Sequence, residues 1–193
     1  MKKLPPSFFE TDTLTLAKNL LGKYFVRKLN NQTLIGMIVE TEAYHETGDE
    51  SCHAHRGKTP RNSVMFGPPG RLYVYFTYGM HYCMNIAAEA EGIGAAVLIR
   101  ALEPVEGLDI MRKNRGMLDG EKSLCNGPAK LCQAFAISRA ENGHDLQSRE
   151  IYLTQGISVK SQDIVTATRI GISRAAELPW RFYVRSNLYV SRR

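Results

Sequence analysis

Residues 71–86, Arg-Leu-Tyr-Val-Tyr-Phe-Thr-Tyr-Gly-Met-His-Tyr-Cys-Met-Asn-Ile, leave the chain few ways to fold. The run is dense in β-formers and aromatics, with Gly79 near its middle. Period-two alternation puts Tyr73 and Tyr75 on one face and Leu72, Val74 and Phe76 on the other. The pattern predicts a hairpin: a strand to about Thr77, a bend near Gly79 and a second strand from His81 to Ala87. Tyr78 and Met80 then flank the tip, where large apolar side chains have no core to fill. A hairpin packed on a core explains aromatic strands in general, but the charge around this one points elsewhere. From Ser51 to Ala88 there is no Asp or Glu, while Arg56, Lys58, Arg61 and Arg71 are all present. A basic segment ending in an aromatic wedge suits entry into the minor groove of DNA.

The rest of the composition bounds the answer. A chain of 193 residues with 44% hydrophobic and 23% charged residues is expected to be one domain with its own core. The net charge of +6 favours a polyanionic partner. No apolar run approaches a membrane span, and Pro5, Pro6, Glu10 and Asp12 interrupt any signal-like start, so an intracellular, cytoplasmic protein is expected. Cys52, Cys83, Cys125 and Cys132 form no CxxC pair and read as reduced thiols. Cys52 lies beside His53 and His55 and close to His45, yet the spacing fits no usual structural zinc site, so neither metal nor cofactor is expected.

Residues 1–12 read as an extended arm. Apolar residues at 14, 17, 20 and 21 predict a helix that Asp12 or Thr13 caps and Gly22 ends. Strands are predicted over Tyr24–Lys28 and Thr33–Tyr44, joined by a turn at Asn30-Asn31. In the longer strand alternation places Glu40, Glu42 and Tyr44 on one face and Met37, Val39, Thr41 and Ala43 on the other. Two carboxylates and a ring side by side are either a solvated strand end or a carboxylate at the rim of a pocket. Ala95–Arg100 reads as a buried strand whose arginine is exposed at its end or paired with an acid, Glu42 first. Helices are expected over 104–116, with Leu108 and Met111 inward, and from Pro128, whose N-terminus and nearby Lys130 suit an anion. Residues 151–153, 157–160 and 182–185 look like strands, and 163–172 is ambiguous.

Several ordered motifs then add up: Val39-Glu-Thr-Glu-Ala-Tyr44, His53, Thr59-Pro-Arg-Asn62, Leu72-Tyr-Val-Tyr-Phe-Thr-Tyr-Gly-Met80, Cys83-Met-Asn85, Leu98-Ile-Arg-Ala-Leu-Glu-Pro104 and Gly127-Pro-Ala-Lys-Leu-Cys-Gln133. Together they closely resemble the alkyladenine (3-methyladenine) DNA glycosylases, from about Leu14 to Arg185. The chain departs at His81, where some relatives carry an aromatic, and it lacks the N-terminal extension of the mammalian members, so it looks like a compact bacterial version. The resemblance implies an α+β fold: one mixed domain with a curved, largely antiparallel sheet, flanking helices and a protruding hairpin that inserts into DNA. It implies an enzyme that flips a damaged purine out of duplex DNA and hydrolyses the N-glycosidic bond; a protein wrapping one flipped nucleotide can act alone, so a monomer is expected. Glu42 would be the general base, with His53 and Arg100 lining the pocket and Arg100 helping to hold the water. Tyr44, His53 and Tyr75 would sandwich the base, and Asn85 would crowd the exocyclic amine of a normal guanine. Tyr78, supported by Met80, would fill the gap in the stack, while Lys58, Thr59, Arg61 and Lys130 would meet the DNA backbone.

The chemistry suits those roles: a carboxylate beside the sugar stabilises oxocarbenium character while taking a proton from water. No lysine stands out as a Schiff-base nucleophile, so hydrolysis is favoured over a lyase step. A non-enzymatic minor-groove or RNA-binding module is the main rival, and it leaves Glu40, Glu42, Tyr44 and Arg100 without work. A glycoside hydrolase using Glu40 and Glu42 has no need of the acid-free basic stretch. A zinc base deaminase needs HxE and PCxxC motifs that are absent.

Overall fold

The computed structural model describes residues 2–116 and 120–191. It is an α+β domain built on one curled, largely antiparallel sheet. In chain order the elements are α1 (Thr13–Asn19), β1 (Tyr24–Leu29), β2 (Gln32–His45), β3 (Leu72–Thr77), β4 (His81–Ala87), β5 (Ala95–Glu106), α2 (Leu108–Arg115), α3 (Pro128–Ala134), β6 (Ile151–Thr154), β7 (Ile164–Ala167) and β8 (Arg181–Val184). The strands run β3-β4-β5-β2-β1-β6, with β8 pairing both β2 and β7. Residues 2–12 lie against the sheet: the Leu4 amide bonds to Leu153, and Leu4 and Phe9 are buried.

Local chemistry explains most of the element ends. The Asp12 side chain accepts the Thr15 N–H at 2.9 Å and starts α1. Asn30 and Asn31 both adopt positive φ (49° and 62°), which the tight β1–β2 turn requires and asparagine tolerates. Tyr78 and Gly79 do the same (50° and 67°) at the tip of the β3–β4 hairpin, where the Met80 N–H closes the turn on Thr77 at 3.3 Å. Register pairs Thr77 with His81 and Leu72 with Ile86, so β3 and β4 span the lengths that alternation gave them.

One core lies between the sheet and the helices. It unites Leu16 and Ala17 of α1, Met111 of α2 and Leu131 and Ala134 of α3 with Leu34, Ile38, Val97 and Leu102 of the central strands. Phe25 and Phe135 meet edge to face there, with centroids 5.4 Å apart. Gly36 makes room for them, since a Cβ at that position would sit 3.0 Å from both Phe135 Cζ and Leu102 Cβ.

The long strand departs from simple alternation. Ile38 pairs with Leu102, Glu40 with Ala101 and Thr41 with Ile99, so β2 has an extra residue at Val39 and β5 one at Arg100. Before the bulge the even residues Leu34 and Ile38 face the helices; after it Ala43 joins that core and the Thr41 hydroxyl donates to Ala17 of α1. Met37 and Val39 therefore do not share a face with Thr41 and Ala43, as alternation predicts. They pack with Ala101 on the face away from the helices, the face that carries Glu40, Glu42 and Arg100. The bulge falls where β2 changes neighbours, from β1 at 32–37 to β8 at 40–42.

Three further expectations are corrected. Pro104 continues β5, where it pairs with Gly36, and α2 begins only at Leu108 after Gly107 turns with φ of 81°. Residues 157–160 form no strand, although the Ile157 N–H reaches Gly22. Arg100 lies within β5 rather than at its end. The ambiguous stretch 163–172 contributes the short strand β7.

Candidate active site

The side of the sheet opposite the helices is covered by the polar loop 46–70, which folds back on β3 and β5. Cys52, Ala54, Met65 and Phe66 pack there against Tyr73 and Ala96, with Tyr44 and Tyr75 at the margin. Asn62 pins the loop: it is buried, its Nδ2 donates to the carbonyls of His53 (2.8 Å) and Gly57 (3.0 Å), and its Oδ1 accepts the Thr59 N–H. Between loop and sheet lies a cavity of about 180 Å³. That is below the ~300 Å³ lower end for drug-sized ligands and leaves room for one compact group.

The cavity brings together Tyr44, His53, Tyr75, Asn85 and Tyr78. His53 and Tyr75 touch edge to face, with centroids 4.5 Å apart at 76°, and make one aromatic wall. The His53 Nδ1 lies 2.9 Å from the Tyr73 hydroxyl. Loss of solvent around the ring, then the Arg61 charge, lowers its pKa and keeps it neutral at pH 7. Burial raises the hydroxyl pKa of Tyr75, with Cys83 beside it adding to the shift. Asn85 is fixed by its Nδ2 donating to Tyr73 O at 3.1 Å across the hairpin.

Glu42 and Arg100 are not among the residues that line the cavity. Glu42 lies behind Tyr44 with no solvent exposure. Its Oε1 accepts the Ile170 N–H at 2.8 Å and faces Arg100 Nη1 at 3.2 Å, and its Oε2 accepts the Tyr44 hydroxyl at 2.8 Å. Burial raises the Glu42 pKa above the usual carboxylate range, against the lowering effect of Arg100, the Ile170 N–H and the Tyr44 hydroxyl. A carboxylate has about four acceptor sites, so one on Oε2 is left for a further donor. Tyr44 is itself held protonated, by burial first and then by the Glu42 charge.

Around this carboxylate Asp49 and Arg169 had no place in the sequence reading, and Glu40 entered it only as the second carboxylate on the strand face. Glu40 is a structural partner: it faces Arg100 at 3.4 Å, accepts from Arg181 Nη1 at 2.8 Å and takes the Ser191 N–H at 2.7 Å. Asp49 and Arg169 form a fully buried bidentate pair at 2.6 and 2.7 Å. Arg169 lies over the Tyr44 ring at 4.6 Å and the Trp180 ring at 5.3 Å. Gly171 and Ile172, just beyond it, line the cavity. The only hint in the sequence was a lone arginine inside the ambiguous stretch 163–172.

Tyr78, which lines the cavity, is 81% exposed, and Met80 beyond it on the hairpin tip is 70% exposed. Lys58, Thr59 and Arg61 are exposed on the adjoining loop, and Arg61 stands over Tyr75 at 5.8 Å. Lys130 is engaged by Asn126 Oδ1 at 2.8 Å and is not part of the cavity wall. All four cysteines are buried free thiols, and among the described residues no group of three or more His, Cys, Asp or Glu is placed to hold a metal. Among the described residues no helix is long and apolar enough to cross a membrane.

Comparison with known proteins extends over nearly the whole chain. The sequence model of the methylpurine-DNA glycosylase family matches residues 7–188. A Carboxydothermus hydrogenoformans protein is 56% identical over 191 residues, covering 98% of this chain and 99% of its own length. A Prosthecochloris aestuarii protein is 50% identical, covering 100% and 92%, and one from Methanoculleus marisnigri 48%, covering 98% and 99%. All three are named as 3-methyladenine DNA glycosylases. A buried acid behind a ring-lined cavity, an exposed aromatic hairpin tip and a match of this extent lead to one conclusion: the chain belongs to the methylpurine-DNA glycosylase family.

Proposed function

We propose that this protein is a monofunctional base-excision-repair glycosylase acting on alkylated or deaminated purines in duplex DNA, of the 3-methyladenine, 7-methylguanine, hypoxanthine and ethenoadenine class. The observation that carries the reading is the buried Glu42 carboxylate, joined through the Tyr44 hydroxyl to an aromatic-lined cavity of about 180 Å³.

The reaction runs as follows. Tyr78 enters the duplex and occupies the gap left by the flipped nucleotide, with Met80 behind it. Unstacking costs a few kcal/mol, least for a damaged or mispaired base, and the inserted ring offsets part of it. Lys58, Thr59 and Arg61 on the exposed loop, and Lys130 on α3, meet phosphates. The base stacks between Tyr44 on one side and the His53–Tyr75 wall on the other, a cationic lesion gaining a cation–π attraction. Asn85 stands against the base edge and disfavours guanine.

A water hydrogen-bonded to the remaining Oε2 site of Glu42 then attacks C1′. Its oxygen forms the new bond, the base leaves with the N-glycosidic electron pair, and Glu42 takes the proton. Arg100 holds Glu42 and the water in place while the sugar acquires oxocarbenium character. The products are an abasic site and a free base, which departs neutral from a cationic lesion and, from hypoxanthine or ethenoadenine, departs as an anion that takes its proton from solvent. No lysine lines the cavity, which favours water over an amine as nucleophile.

The test is incubation of duplexes bearing each lesion with the protein, followed by alkali. Strand breaks confined to the lesion site after alkali, and none before it, are expected. Breaks before alkali would mean a lyase, and binding without breaks would leave a DNA-binding module.

A further inference from the structure

From the buried ion pair beside the cavity we infer that Arg169, locked by Asp49, is a positioning residue for Glu42 and Tyr44, setting the geometry of excision without touching DNA.

The pair is the most enclosed ionic contact among the described residues, with both side chains fully buried. Two buried charges held only for stability are a poor bargain, because desolvation cancels much of the attraction. The contacts show what else the pair does. Arg169 Nη1 donates to Asp49 Oδ2 at 2.6 Å and to the Ala43 carbonyl at 3.0 Å; Nη2 donates to Asp49 Oδ1 at 2.7 Å and to the Ala175 carbonyl at 3.1 Å. All four Nη protons are used, and they tie the end of β2 and the loop just after it to the turn at 175, more than a hundred residues further along the chain. A planar fork can do this and an ammonium cannot.

Each anchored point bears on the site. Ala43 lies between Glu42 and Tyr44, so holding its carbonyl fixes both neighbours on β2. The guanidinium lies over the Tyr44 ring at 4.6 Å and over the Trp180 ring at 5.3 Å. The next residue, Ile170, presents the N–H that Glu42 Oε1 accepts, and Gly171 and Ile172 follow as cavity wall. On the Asp49 side, Ser51 also lines the cavity, and its hydroxyl donates to the Arg174 carbonyl. One guanidinium thus sets two of the three groups that hold the carboxylate. Displacements of about 1 Å at a reacting group cost on the order of 100-fold in rate.

The inference rests on Glu42 being the base, so both are tested together. The groups facing Glu42 are Arg100, Glu40, Tyr44, Tyr75, Cys83 and Arg169 itself, and a change at Arg169 leaves the identity of all the others unaltered. Arg169→Lys keeps the charge and loses the fork. Its single-turnover excision is expected to fall about 10- to 100-fold, with duplex affinity held within about twofold and the acid limb of the pH–rate profile moved to higher pH, because Glu42 loses a well-placed donor. Asp49→Asn is expected to fall in the same direction. Parent-like rate and pH profile in a folded Arg169→Lys protein would overturn the inference, as would a rate loss with an unmoved acid limb, which is what general loosening gives. If Arg169→Lys does not fold, Trp180→Leu removes one of the two rings against the guanidinium, a half-buried one, and the same two readouts decide. Glu42→Gln is measured alongside. Parent-like excision by that variant overturns the assignment of the base and the inference with it, whereas an inactive Glu42→Gln beside a parent-like Arg169→Lys overturns the inference alone.

Discussion

Glu42→Gln separates chemistry from fold more cleanly than any other single change. The amide is isosteric with the carboxylate, and each partner can be kept. Its oxygen, at the Oε1 position, still accepts from Ile170 and faces Arg100, and its NH2 at the Oε2 position donates to the Tyr44 hydroxyl oxygen. Arg100 retains Glu40 at 3.4 Å, so no charge is stranded. A general base contributes about 10²–10⁴ in rate, or about 2.7–5.4 kcal/mol at 1.36 kcal/mol per decade. Single-turnover excision of a cationic lesion is expected to drop by at least a hundredfold, with duplex affinity kept. Stability moves the other way. Burial raises the folded-state pKa of Glu42 above its unfolded value, so the folded protein holds that proton more tightly. The associated stability is present at low pH and is lost as pH rises from about the ordinary carboxylate value through the raised one. The variant has no such loss, so its melting midpoint should gain on the parent's over that window. Near-parent excision would refute the base assignment; a midpoint that fell with rising pH relative to the parent would refute the electrostatic argument.

Tyr78→Ala removes an exposed ring at the hairpin tip, so stability stays near the parent's while lesion-duplex affinity falls by about 1–3 kcal/mol for every lesion; a loss confined to one lesion would assign Tyr78 to the pocket. Gly36→Ala sets a methyl 3.0 Å from Leu102 Cβ and Phe135 Cζ, and denaturant unfolding should show a loss of about 1–3 kcal/mol; an unchanged midpoint would show that the core yields there. Asp12→Ala deletes the α1 cap and should cost about 1 kcal/mol at neutral pH. The bond to Thr15 lowers the Asp12 pKa, so the difference from the parent should be full above the ordinary 3.8 and vanish as pH falls through the folded value.

What could be read from the residues, and what could not, follows from the range of the forces involved. The hairpin, the Asn30-Asn31 turn and the start of α1 are set by neighbours a few residues apart, and alternation, backbone preference and capping reveal them directly. Glu42 and Tyr44 stood out because a carboxylate and a ring shared one face after an apolar run, whereas His53, Tyr75 and Asn85 drew their roles from the resemblance; the fold places four of the five on one cavity. The Asp49–Arg169 pair joins residues 120 apart, and nothing local marks either as buried. Glu40 looked like a twin of Glu42, but Arg181, which holds it, lies 141 residues away. Residues 157–160 carry strand composition, yet they follow the close approach of Gly156 to Gly22, where backbone meets backbone and no ladder forms. Alternation failed in β2 because a period of two cannot signal an extra residue.

That extra residue fixes how the protein tolerates changes in length. Ile38 faces the helices while Val39 and Glu40 both face away, so losing Val39 alone would restore a plain period of two and leave Glu40 and Glu42 on the side of Arg100. A residue lost elsewhere in β2 with the bulge kept would instead turn one arm through the sheet, and two carboxylates would exchange places with Thr41 and Ala43 under α1. The counting of residues on either side of Val39 is thus as strict a requirement on this chain as the identity of Glu42.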